Sequence, residues 1–169
     1  MASPEDNFID WLRDAHAMEK QAETMLTSMA GRLEHYPDLK ARIERHVEET
    51  RHQAAELESC LERRGVAAST MKDFAGRMAA MGQGMTGMMA SDEVVKGAMA
   101  GYAFEHMEIA AYRTLIAAAE TIGDTQTKAV CERILAEEVA MADWLEQHLP
   151  SVAQTFLQRD AQPETISKY

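Results

Sequence analysis

Three glutamates of this chain stand where an apolar side chain is expected. Glu19, Glu105 and Glu138 each fill a place in the apolar stripe of a separate amphipathic segment. Burying an unpaired carboxylate costs several kcal/mol even after the surroundings relax. One such residue is a local accident; three on three helices ask for a shared cation. Neither Glu19 nor Glu105 has a basic residue four positions on, where Glu23 and Ile109 stand. Arg133 is the competing partner for Glu138 on its own segment. A fourth segment reads His46-Val47-Glu48-Glu49-Thr50-Arg51-His52-Gln53. Its Glu49-x-x-His52 spacing matches the Glu-x-x-His pair of carboxylate-bridged di-metal bundles. Helical periodicity, at roughly 100° per residue, turns His52 almost opposite to Ile43, Ala54 and Leu61 and brings His46 and Gln53 inward. The wheel favours His46-x-x-Glu49, with His52 as the alternative. Glu108, three residues after Glu105, reaches the same region, and Tyr102 and Tyr112 are suited to hydrogen-bond a ligating carboxylate. Glu137 and Glu138 compete on the last segment, and Glu138 lies nearer the centre of the stripe. A mixed carboxylate and imidazole set selects iron, manganese or zinc over a soft, thiolate-preferring ion.

Four long helices must carry these residues. Ser3-Pro4-Glu5-Asp6 is a helix start, with a serine cap, proline in the first turn and early acids. The stripe Phe8, Leu12, Ala15, Ala22, Leu26, Met29, Leu33 follows, until Tyr36-Pro37 breaks it. A second helix is predicted from about Asp38 to Arg64, ending at Gly65. A third runs from Ser91-Asp92-Glu93 to Ile122, ending at Gly123. The fourth spans Thr125 to His148 and is predicted to stop at Pro150, with a short amphipathic piece over Val152 to Leu157 beyond it. Residues 66–90 are rich in methionine and glycine and read as a crossover holding a short helix around Met71 to Met81. Short links make helices one and two, and three and four, antiparallel; the long crossover lets helices two and three run parallel. The expectation is an all-α, ferritin-like four-helix bundle over residues 1–160 with one long crossover and a polar tail at 161–169.

Composition narrows the function. The 169 residues suit one domain. The 28 acidic against 17 basic residues give a formal net charge of −11, which repels nucleic acid and anionic membranes. MASPEDNF has no apolar run, so no signal peptide is expected, and no stretch approaches the roughly 20 apolar residues of a membrane span. Two isolated cysteines, Cys60 and Cys131, point to a reducing compartment, the cytoplasm. The crowd of Met71, Met78, Met81, Met85, Met88 and Met89 reads as packing material for a core or a dimer ahead of a copper(I) site.

The blocks Asp14 to Gln21 (DAHAMEKQ), His46 to Gln53 (HVEETRHQ) and Glu105 to Leu115 (EHMEIAAYRTL) resemble the signature blocks of the YciE/YciF family of ferritin-like proteins. Leu135-Ala136-Glu137-Glu138 is similar to the family's fourth-helix block. The resemblance implies a bundle related to rubrerythrin, a di-metal site, a homodimer and an association with bacterial stress. It implies Glu19, His46, Glu49, Glu105, Glu108 and Glu138 as ligands of two metal ions, iron first, with manganese or zinc as alternatives. The family tends to carry a further acid where this chain has Ala142, and its crossover differs from MKDFAGRMAAMGQGM. The leading expectation is therefore a metal-binding bundle, with reaction at oxygen or peroxide as its chemistry. The rival is a helical interaction module with an empty site.

Overall fold

The structure is a computed structural model that describes residues 3–67 and 92–161. The short helix expected around Met71 to Met81, the methionine-rich crossover and the tail beyond 161 lie outside the described residues. Four helices carry the rest: α1 (Pro4–Ala30), α2 (Pro37–Glu62), α3 (Glu93–Ile122) and α4 (Thr125–Asp160). No helix among the described residues is long and apolar enough to cross a membrane.

Local chemistry sets the boundaries. The Ser3 hydroxyl accepts from the Asp6 amide at 3.1 Å while the Asp6 carboxylate accepts from the Ser3 amide at 2.8 Å, a reciprocal cap on α1. Pro37 opens α2 in the first turn, where its missing N–H is no loss. Gly123 takes φ +78, a left-handed conformation that ends α3, and the Asp124 amide closes back on the Ala119 carbonyl at 2.8 Å. Asp124 then caps α4, accepting from the Thr127 amide at 2.9 Å.

Two boundaries depart from the sequence expectation. α4 continues through Pro150 to Asp160 as a single helix, so the piece expected over Val152 to Leu157 is its last turns and not a separate helix. Proline forfeits one backbone hydrogen bond. Val152 and Phe156, 7% and 8% exposed, join the hydrophobic core beyond it and hold the last turns in line. α1 also ends at Ala30 rather than reaching Tyr36, although Leu33 and Tyr36 remain buried within the turn.

Ion pairs fix the connectivity. Arg64, at the end of α2, binds Glu5 at the start of α1 and Asp124 at the start of α4, both at 2.5 Å. Arg32, after α1, meets Glu93 at the start of α3 at 2.6 Å. Helices α1 and α4 therefore start at one end of the bundle, and α2 and α3 at the other. The hairpins α1–α2 and α3–α4 are antiparallel and α2 runs parallel to α3. Phe8, Leu12, Ile43, Leu57, Leu61, Tyr112, Leu115, Ile134, Met141 and Leu145 pack between the helices.

Candidate metal centre

All four helices send a polar side chain into this apolar interior. Glu19 comes from α1, His46 from α2, Glu105 and Glu108 from α3, and Glu138 from α4; each is at most 1% exposed. His46, Glu105, Glu108 and Glu138 each offer a ligand atom, and these atoms lie within 4.8 Å of one another. Their convergence follows from the helix period. Residues three apart share a face, so Glu105 and Glu108 meet one locus from adjacent turns. His46 occupies the inner stripe of α2 with Ile43, Val47 and Leu57.

The orientation of His46 is set from behind. Its Nδ1 lies 2.9 Å from a Glu49 oxygen. Glu49 is itself held by Arg42 at 3.1 Å and Arg45 at 2.9 Å. Burial alone would raise the Glu49 carboxyl, but the His46 hydrogen bond and Arg42 bring it down to about 2. An ionised Glu49 only accepts, so the Nδ1 hydrogen donates to it. The other ring nitrogen, Nε2, then faces Glu105 at 3.3 Å and Glu138 at 3.4 Å. Burial works against a charge on that ring, yet the neighbouring carboxylates of Glu105, Glu138 and Glu49 raise His46 to about 12.

The carboxylates are short of partners. Glu19 Oε2, Glu105 Oε2, Glu108 Oε1 and both Glu138 oxygens are buried without a hydrogen bond. Loss of water, followed by the charge of Glu138, drives the Glu19 acid well above its usual range against the hydrogen bond from Tyr112. Burial and then the charges of Glu19, Glu138 and Glu105 do the same to Glu108. Burial pushes Glu105 to about 7 against the pull of His46. Each acid makes its neighbour harder to ionise, as expected of like charges gathered in a low dielectric. A divalent cation reverses that balance for all of them together.

Around the cluster, the Tyr112 hydroxyl, fully buried, donates to Glu19. Gln53 is buried and its Nε2 donates to Glu137 at 2.8 Å, so Glu137 turns to the rim while Glu138 turns inward. His52, the alternative to His46, is 71% exposed at its side chain and lies 3.6 Å from Glu56. Arg133, the competing partner for Glu138, binds Glu56 at 2.5 Å instead. Tyr102 packs edge-on against His106. Met141 and Ala142 are buried beside Glu138, so α4 adds no further carboxylate there. Of the six residues singled out from sequence, four form the tight group, Glu19 stands among them under Tyr112, and Glu49 stands behind His46. The brace of Arg42 and Arg45 on Glu49 carried no sequence signal beyond ordinary helical charge spacing.

Solved structures share this architecture. A protein from Xanthomonas campestris pv. campestris is 42% identical, with a TM-score of 0.81 over 95% of this chain and 100% of that one. YcfI from Rhodopseudomonas palustris is 27% identical, with a TM-score of 0.72 over 86% of this chain and 94% of its own. The E. coli stress protein YciF, at 24% identity and a TM-score of 0.73 over 88% of this chain and 96% of its own, has the same fold. Residues 3–158 match a family described as a domain of unknown function, DUF892, and the chain belongs to that family.

Proposed function

We propose that this chain is a metal-binding bundle protein whose core takes two divalent ions, iron in the first instance. What supports the reading is the set of buried, unpartnered oxygens on Glu19, Glu105, Glu108 and Glu138, drawn from three helices and facing the imidazole of a fourth. Buried polar atoms in native proteins are almost always satisfied, and a bound cation would satisfy this cluster of orphaned acceptors together. Four carboxylates and two divalent ions also cancel in charge, which suits a dry interior.

In this reading His46, Glu105, Glu108 and Glu138 hold the metal and Glu19 completes the set, kept in place by Tyr112. Glu49 is not a ligand but orients His46, the arrangement in which an outer carboxylate fixes the tautomer of a metal-binding imidazole. Iron held by these residues would supply the electrons for reaction with oxygen or peroxide. The chain's own contribution is to gather the carboxylates at one point, aim the imidazole and keep bulk water out. YciF is called a stress protein; a stress role, a cytoplasmic location and a homodimer are part of this proposal.

A second reading has one observation in its favour. His46 can keep its proton and satisfy Glu105 and Glu138 without metal. The bundle would then be an interaction module. Elemental analysis of protein purified without added metal, repeated after aerobic loading with ferrous iron, decides between them. The proposal expects about two metal ions per chain, lost in the Glu19→Ala/Glu105→Ala double variant. No bound metal before or after loading refutes it.

A further inference from the structure

A cavity of about 260 Å³ lies between α1 and α3, toward the end where Arg32 meets Glu93. Its walls are Leu26, Met29, Val94, Gly97, Gly101 and Phe104, and its inner wall is Glu105. Glu105 therefore faces the metal-ligand cluster and the cavity together. It is 1% exposed, and its Oε2 has no hydrogen-bond partner.

Two glycines keep this space open. Gly97 and Gly101 lie inside α3, where glycine destabilises a helix relative to alanine. Neither takes a positive φ. A Cβ on Gly101 would meet Leu145 Cδ1 at 3.8 Å, an ordinary contact. One on Gly97 would meet the terminal methyl of Met29 at 3.3 Å, the flexible end of a side chain. Backbone conformation demands neither glycine, and the one tight contact, at Gly97, is with a side-chain end that can give by a few tenths of an ångström. What their missing side chains leave is volume next to a buried carboxylate.

The walls set the class of occupant. Apolar side chains surround most of the cavity, so an alkyl group is favoured there. Arg32 is committed to Glu93 at 2.6 Å, and the inner wall is an acid, so an anion finds no welcome. An apolar cavity of about 150 Å³ already takes benzene, so this one holds a longer chain.

We propose that the cavity binds an uncharged alkyl molecule with one terminal oxygen, an alcohol or hydroperoxide, its chain between Met29 and Phe104 and its oxygen toward Glu105. The role of the oxygen end rests on the metal reading above. Binding of the chain does not.

The test is calorimetric titration of the full, metal-stripped chain with 1-octanol. Saturable binding of one molecule per chain is expected. Gly97→Leu or Gly101→Leu should weaken it by more than about tenfold, while Gly97→Ala leaves it close to wild type. Melting curves show that each variant is folded, and metal content of the leucine variants should stay at the wild-type level. In iron-loaded protein, 1-octanol should shift the absorption of the bound metal and octane should not. Absence of saturable binding, or equal binding by both leucine variants, overturns the proposal. So does a leucine variant that changes oligomeric mass but not octanol binding, since the face is then an interface. If the chain takes up no metal, the metal reading fails and the octanol titration still decides the cavity.

Discussion

Glu108→Gln should have opposite effects on the metal-free and the metal-loaded protein. Glu108 is 1% exposed, its Oε1 has no partner, and Glu19, Glu105 and Glu138 all raise the cost of its charge. An amide of the same shape cannot ionise, so folding never has to suppress a charge there, and it can donate to the unpartnered oxygens of Glu105 or Glu138. An unsatisfied buried acceptor costs about 1–3 kcal/mol, which is the scale of the expected gain in metal-free stability. At about 2–4 °C per kcal/mol for a domain of this size, the metal-free melting temperature should rise by roughly 2–12 °C. The loaded protein should move the other way. Ligand at one hundred times its dissociation constant stabilises a native state by about 2.7 kcal/mol, and the variant should lose most of that increment. Differential scanning calorimetry in chelator and in excess ferrous or manganous ion reads both quantities. A variant that melts lower without metal and still gains the full metal increment would show that Glu108 is a structural acid and not a ligand.

Three other outcomes follow from the same structure. Glu49→Gln should weaken metal binding by about 10–100-fold, the usual cost of losing an orienting acid, while metal-free circular dichroism stays unchanged; unaltered affinity in a competition titration removes Glu49 from that role. Asp124 is held at about 2 by its hydrogen bonds to Thr127 and Arg64, which outweigh its burial. A folded value below the ordinary 3.8 stabilises the native state above that pH, and the contribution of about 2 kcal/mol fades as pH falls from near 4 toward 2. Acid titration of Asp124→Ala should lack that segment of the stability curve, and a curve parallel to wild type would count against it. Gly123→Ala, which forces a left-handed φ of +78 on a residue with a Cβ, should cost about 1 kcal/mol in chemical denaturation without touching metal content.

Much of this was legible because helix period and burial are local properties of the chain. Glu19, Glu105 and Glu138 interrupt apolar stripes, and the structure buries all of them at 1% or less. The choice of His46 over His52 came from the angle between them, and their exposures of 1% and 71% follow it. Two features were not legible. Pro150 is a strong local stop, but whether a helix passes through a proline depends on what the next turns can bury, and Val152 and Phe156 find the core. Glu49 sits at the border of the inner face, where angle alone does not tell a residue that enters the cluster from one that braces His46. What separates them is Arg42 and Arg45, whose choice of Glu49 over other acids is a matter of rotamers.

The distribution of the cluster ties the site to the fold in a specific way. Each hairpin contributes from both of its helices, Glu19 with His46 and Glu105 with Glu138, and no single hairpin contains the set. The two hairpins meet through apolar packing, the ion pairs of Arg64 and Arg32 at opposite ends, and the Tyr112–Glu19, Gln53–Glu137 and Arg133–Glu56 contacts between them. At mid-height the bundle instead places acids that repel one another. An ion at that level would replace this repulsion with a cross-link, because its ligands come from both sides. Metal should therefore protect the middle of α1 and α3 from amide exchange more than the Arg64 end, where the ion pairs already hold the hairpins together. Uniform protection along the helices, measured by mass-resolved hydrogen exchange with and without metal, would mean that the ion raises global stability without bridging the hairpins.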